Sequence, residues 1–173
     1  MPYAAANAIT VRRARTSDVP SVRRLVDPYV SEGILLDKAT VTLYEAIQEF
    51  WVAERDEDAQ VVGCGALHVI WEDLAEVRTL AVDPVFKGTG IGHHVLDKLL
   101  QTARRLGVRK VFCLTFEVDF FGKHGFVEIG ETPVDGDVYS ELLRSYDEGV
   151  AEFLGLERVK PNTLGNSRML LHL

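Results

Sequence analysis

No apolar run in this chain is long enough to cross a membrane: the longest uncharged apolar run, residues 61–71, is about half a helical span. The first ten residues carry neither a basic n-region nor an apolar h-region, so no secretory leader is expected. Basic charge is scarce. Nineteen Lys and Arg face 26 Asp and Glu, a formal charge of −7, which argues against a general nucleic-acid binder, whose phosphate contacts need a basic surface. Any anionic ligand must therefore find a local positive site. Cysteine is scarce too. Cys64 and Cys113 sit far apart in apolar stretches without CxxC spacing, which excludes a disulfide framework and reads as buried free thiols in a reducing cytoplasm. The five histidines show no metal spacing, so no metal is expected; His93 is read as part of a solvated helix face.

What is present suits one soluble domain. At 173 residues and 47% hydrophobic, the chain can bury a single sizeable core without staples. Strand and helix patterns alternate. Residues 9–15 read as a strand, and Thr16-Ser17-Asp18 offers caps for a helix ending at Gly33. A short extended piece, 34–36, and a short helix over 42–49 follow. Residues 50–55 and 60–71 form a hairpin across Asp56-Glu57-Asp58, and 75–82 is a third strand closed by Asp83-Pro84. The strongest helix spans 90–106, with Ile91, Val95, Leu99, Ala103 and Leu106 in one stripe and Gly107 as its cap. Because that helix separates them, strands 75–82 and 110–115 should be parallel. A short helix over 119–124, a strand over 126–129, a surface helix over 140–153 in an acidic region and a last strand over 167–173 complete a mixed α/β fold.

The most informative stretch is Leu80-Ala81-Val82-Asp83-Pro84-Val85-Phe86-Lys87-Gly88-Thr89-Gly90-Ile91-Gly92, directly ahead of the long helix. Three glycines in five residues let the backbone turn tightly and bring N–H groups close to a ligand. At a helix start these groups point outward, the dipole is positive, and Lys87 adds a full charge, which makes an anion site suited to a pyrophosphate. The spacing is not that of a P-loop, which needs GxxxxGK before Ser or Thr. Nor does it match a dinucleotide fingerprint, because the pattern is GxGxG and five residues separate it from the strand.

Lys87-Gly88-Thr89-Gly90-Ile91-Gly92 resembles the pyrophosphate loop of the GNAT superfamily of N-acetyltransferases. Val11 to Asp18, the strand 75–82 with Asp83-Pro84, and Phe121-Gly122-Lys123-His124-Gly125-Phe126 resemble that superfamily in order and spacing. Gly33 to Lys38, Ala75 to Val82, the 110–125 block and Ser167 to Leu170 look like the acetyltransferase domain of N-acetylglutamate synthase, here expected as a single domain over 1–173 without a kinase-like partner domain. The resemblance implies a mostly antiparallel central sheet flanked by helices with one splayed parallel pair, and acetyl-CoA as cosubstrate. It also implies a cytoplasmic enzyme that acetylates the α-amine of L-glutamate or L-glutamine at the opening of arginine biosynthesis. Neither a nucleic acid nor a membrane is an expected partner; a homodimer is. The alternatives are a GNAT enzyme for another amine, such as a protein N-terminus, and a non-catalytic CoA-binding protein.

The resemblance also distributes roles. Leu80 and Val82 offer main-chain groups to the pantetheine arm, and residues 87–92 (Lys87, Gly88, Thr89, Gly90, Ile91, Gly92) hold the pyrophosphate. Glu76 matches the family's general base, and an acid in an apolar strand suits that use; pairing with Arg78, two residues on, is the structural alternative. Lys38 matches an arginine that contacts the amino acid, Leu36 and Thr79 offer main-chain amides, and Ser167-Arg168 matches the family's Ser-Lys. Two positions depart from the pattern. Phe121 stands where many members carry an acid tyrosine, and Gly165 replaces a carboxylate-clamping arginine for which Arg168, Arg158 or Lys160 would have to substitute.

Overall fold

A computed structural model describes residues 8–132, 134–155 and 166–173; Arg158, Lys160 and Gly165 lie outside the described residues. Among the described residues seven strands form one sheet in the order β1-β2-β3-β4-β5-β7-β6. They are β1 (Ile9–Arg13), β2 (Phe50–Arg55), β3 (Val61–Trp71), β4 (Leu74–Val82), β5 (Lys110–Thr115), β6 (Val127–Glu128) and β7 (Ser167–His172). Every neighbouring pair is antiparallel except β4 and β5. The parallel pair follows from the crossover helix between them, as the sequence pattern required.

That helix, α3 (Ile91–Leu106), covers one face. It buries Ile91, Val95, Leu96, Leu99, Leu100 and Ala103 against Val62, Leu67, Ala75, Val77 and Val111. Each fully buried aliphatic side chain of this kind contributes about 1.5–3 kcal/mol. Leu106 departs from the expected stripe: it is 60% exposed at the helix end. Two glycines of β3 let α3 come close. A Cβ on Gly63 would stand 2.8 Å from Ile91, and one on Gly65 would stand 2.9 Å from Val95 and 3.0 Å from Leu99.

On the opposite face, α1 (Val19–Ser31) and α2 (Thr40–Glu45) pack Val22, Leu25, Val26 and Leu43 onto Val52, Cys64 and Ala66. Tyr29 ends that apolar stripe and reaches beyond it to β4. The remainder of this face is covered by the acidic region. In place of one surface helix over 140–153 there are two short helices with a break between them: α5 (Gly136–Leu142) and α6 (Glu148–Phe153), with α4 (Val118–Gly122) lying earlier in the chain. Asp147 starts the second by accepting from the Val150 N–H, which resets the helix. Nor is the segment a surface one. Val150, Ala151 and Phe153 are buried, and Phe153 stacks on Phe112 at 3.8 Å, so a few apolar residues outweighed the surrounding charge. The helix expected over 42–49 is likewise divided, into α2 and a 3-10 turn at Ile47–Glu49. None of the described helices is long and apolar enough to cross a membrane.

Candidate active site

β4 and β5 pair only at Leu74 with Lys110, Ala75 with Val111 and Glu76 with Phe112. Beyond Glu76 the two strands part, and a cleft of about 920 Å³ opens between them. It is lined by Glu76 to Val82, Cys113 to Glu117, the loop before α3 and the segment between α1 and α2. β4 is also irregular on its other side: Cys64 faces Ala81 and Ala66 faces Arg78, so Gly65 alone opposes both Thr79 and Leu80. Thr79 adopts φ +56° in this bulge, a conformation that costs a β-branched residue about 1–3 kcal/mol and persists only where the surroundings impose it.

One end of the cleft is made of backbone. Gly88 and Gly90 take φ +78° and +87°, and a Cβ on either would meet nothing within 4 Å. These glycines are therefore required by backbone conformation and not by packing. Among the described residues, no partner takes the N–H groups of Gly88, Gly90, Ile91, Gly92 and His93. They stand open at the positive end of α3, and Lys87 sits 5.0 Å above the Tyr29 ring beside them. Tyr29 itself donates its hydroxyl to the Val82 carbonyl at 2.6 Å, tying α1 to β4. This donor-rich pocket with an adjacent cation fits a pyrophosphate.

The other end is made of side chains. Glu76 is buried at 5% exposure. Arg78 donates to Glu76 Oε2 from Nη2 at 2.5 Å and from Nε at 3.1 Å. The same guanidinium forks Asp147, Nη1 to Oδ2 at 2.8 Å and Nη2 to Oδ1 at 2.7 Å. Beyond Asp147 the polar chain continues through His68, 3.7 Å from Asp147 Oδ2, to Glu49, 2.9 Å from the imidazole Nδ1. Burial opposes charge on Asp147, yet its hydrogen bonds to Arg78 hold its carboxyl well below the usual carboxylate range. Burial likewise opposes the Arg78 charge, and Glu76 and Asp147 hold it firmly protonated. Lys38, half-buried on the same cleft, has no ion-pair or hydrogen-bond partner for Nζ among the described residues; burial, then the Arg78 charge, lowers its pKa from the usual lysine value. Cys113 also lines the cleft, and burial and the Glu76 charge push its thiol well up, so it is neutral. On the other side of the bulge, burial pushes the Cys64 thiol up to about 12.

The cleft thus gathers Leu36, Lys38, Glu76, Thr79, Leu80, Val82, Lys87, Gly88, Gly90, Ile91 and Gly92 along one continuous surface. Thr89 is not part of its lining; its hydroxyl donates to the Phe86 carbonyl at 2.5 Å and braces the turn. Ser167 and Arg168 also lie outside the lining: Ser167 pairs with Thr115, and Arg168 Nη2 donates to the Glu152 carbonyl at 3.5 Å, whereas Asn166 does reach the cleft. His93 is no solvated side chain. It stacks on Phe120 at 4.6 Å and shares a 2.7 Å hydrogen bond with His124. Sequence reasoning missed Tyr29 and Asp147; the only signal for Asp147 was its suitability as a helix cap.

A model of the acetyltransferase (GNAT) family matches residues 21–126. The chain belongs to that family. Among GNAT relatives, it is 64% identical over 162 residues to an amino-acid acetyltransferase of Mycobacterium tuberculosis, covering 93% of this chain and 92% of that one. A crystal structure from the same organism, in complex with CoA and NLQ, superposes with a TM-score of 0.91 at 64% identity, spanning 95% and 99% of the two chains. The GNAT fold also extends to N-acetylglutamate synthase from Neisseria gonorrhoeae complexed with coenzyme A and N-acetyl-glutamate. There the TM-score is 0.77 and the identity 24%, and the match spans 96% of this chain but only 35% of that one. At that identity the likeness is one of fold.

Proposed function

We propose that this chain is an acetyl-CoA-dependent amino-acid N-acetyltransferase, acting on the α-amine of L-glutamate or L-glutamine by direct transfer. The observation that carries the reading is the single cleft that joins a backbone anion pocket to the buried Glu76 carboxylate and to Lys38. The 64% identical relative named amino-acid acetyltransferase supports it.

The open N–H groups of 88–93 (Gly88, Gly90, Ile91, Gly92 and His93), with Lys87, hold the pyrophosphate. Main chain near Leu80 and Val82 guides the pantetheine arm into the gap between β4 and β5. Lys38 meets the α-carboxylate of the amino acid, and Leu36 and Thr79 present main chain to its side-chain end. Glu76 takes a proton from the ammonium group, the freed amine attacks the thioester carbon, and β4 N–H groups stabilise the oxyanion. Carbon–sulfur cleavage then releases the thiolate. Phe121 has no proton to give, so as the adduct collapses to the amide the nitrogen gives up its second proton to water, and water protonates the thiolate. Glutamate acetylation would place the protein at the opening of arginine biosynthesis. Among the described residues the sheet ends at β1 and β6, edges that suit a homodimer.

Free-thiol release from acetyl-CoA over a panel of amino acids, peptide N-termini and small amines tests this. Turnover should be greatest with glutamate or glutamine. Transfer confined to another amine, or CoA binding without transfer to any amine, would overturn it.

A further inference from the structure

Arg78 is shared unequally. Asp147 takes two of its nitrogens in a fork, whereas Glu76 meets it through Oε2 alone, leaving Oε1 without a hydrogen-bond partner among the described residues. That free oxygen belongs to a residue lining the cleft. A buried ion cluster is weak as a device for stability, because desolvation consumes most of the Coulombic gain. The unequal geometry is the more informative feature.

The backbone has been shaped around it. Gly149, the second residue of α6, lies flat against the cluster: a Cβ there would stand 2.7 Å from Arg78 Nη2, 2.8 Å from Glu76 Oε2 and 3.1 Å from Asp147 Oδ1. Its φ is not in the left-handed region, so close approach alone calls for glycine. Asp147 is meanwhile fixed from behind, since Oδ1 also accepts from the Val150 N–H and the residue's own N–H donates to Ser145 Oγ. α6 is anchored in turn by Phe153 on Phe112.

From this we infer that Asp147 is a positioning residue for Glu76: by holding Arg78 in its fork, it restricts the guanidinium to Oε2 and leaves Oε1 directed at the amine. Arginine favours bidentate pairing with a carboxylate. Without the fork, Arg78 has Nη1 free to swing onto Glu76 and occupy both of its oxygens. Gly149 provides the clearance that brings the two carboxylates to one guanidinium. The inference rests on reading Glu76 as the base.

Asp147→Ser is the suitable variant, because serine keeps the helix cap while losing the fork. With acetyl-CoA and the best amino acid of the panel, its kcat should fall at least about tenfold, a fraction of what a general base supplies. The KM for acetyl-CoA should stay within about twofold, since the loop end of the cleft is untouched. Arg78→Gln and the double variant should show that the effects do not multiply, as expected when one residue acts through the other. A kcat within about twofold of the parent, or effects that multiply, would overturn the inference. A crystal structure of Asp147→Ser reads the same claim without turnover: Arg78 bonded to both Glu76 oxygens supports it, and an unmoved guanidinium overturns it. If Asp147→Ser does not fold, Asp147→Asn is read by the same two measurements. An unmodified protein that acetylates no amino acid would count against the functional reading alone, leaving the crystallographic outcome to decide the role of Asp147.

Discussion

The two ends of the cleft are built from different materials. The loop end is backbone: open N–H groups, two left-handed glycines and one lysine, all within residues 87–93. The acceptor end is side chain: Glu76 and Arg78 from β4, Lys38 from the segment between α1 and α2, and Asp147 from the acidic region, 69 residues beyond Arg78 in sequence. Backbone recognition tolerates many side chains but few conformations, whereas the acceptor end tolerates the reverse. The two ends should therefore fail in different ways.

The sharpest separation should come from Glu76→Gln. Its kcat should drop by about 10²-fold or more while CoA affinity by calorimetry stays put; unchanged kinetics would remove Glu76 from the chemistry. Gly90→Asp should do the opposite, weakening CoA binding about tenfold or more by placing an anion at the helix start. Gly90→Ala separates charge from conformation, since the site has room for a methyl group and only the φ of +87° resists it. Lys38→Met should raise the amino-acid KM about tenfold, as loss of a charge-assisted contact does, with acetyl-CoA KM unaltered. Because burial lowers the Lys38 pKa, the amino-acid KM of the unmodified protein should begin to rise at a lower pH than an exposed lysine would give. Lys38→Arg should remove that rise by staying charged.

The smallest effect is one of stability. Asp147 is held below the ordinary carboxylate range in the folded state, so its contribution is present above an unfolded-state value of about 3.9 and is lost as pH falls. Urea unfolding should show Asp147→Ser less stable by about 1–2 kcal/mol at neutral pH. The gap should narrow below about pH 4. A gap independent of pH would mean that packing and not charge accounts for it.

The same contrast explains what was legible in the sequence. The loop could be read because its requirements are local: glycine spacing, a cation and a helix start are adjacent letters. The strand order around β4 and β5 was legible for a similar reason, since a long helix between two strands forces them parallel. Asp147 was not legible, because its partner lies on another element and its own neighbourhood reads only as an acidic surface. His93 misled for the same reason: its company, Phe120 and His124, comes from a different helix and the turn after it. Phe121 and Glu76 both line the cleft, but no spacing announced that Arg78 would be divided between two carboxylates.

The bulge at Thr79 changes the parity of β4. Before it, Ala75 and Val77 pack towards α3, while Glu76 and Arg78 point to the opposite face. Strict alternation would then send Leu80 and Val82 after Glu76 and Arg78. Instead Leu80 and Val82 join the α3 side and Ala81 turns the other way, because one residue has been counted twice against Gly65. A single strand thereby addresses its even-numbered residues to two different sides of the sheet, Glu76 and Arg78 to one and Leu80 and Val82 to the other. Removing one residue from the bulge would not simply straighten the strand; it would exchange inside for outside along everything downstream, taking Leu80 and Val82 off the α3 side.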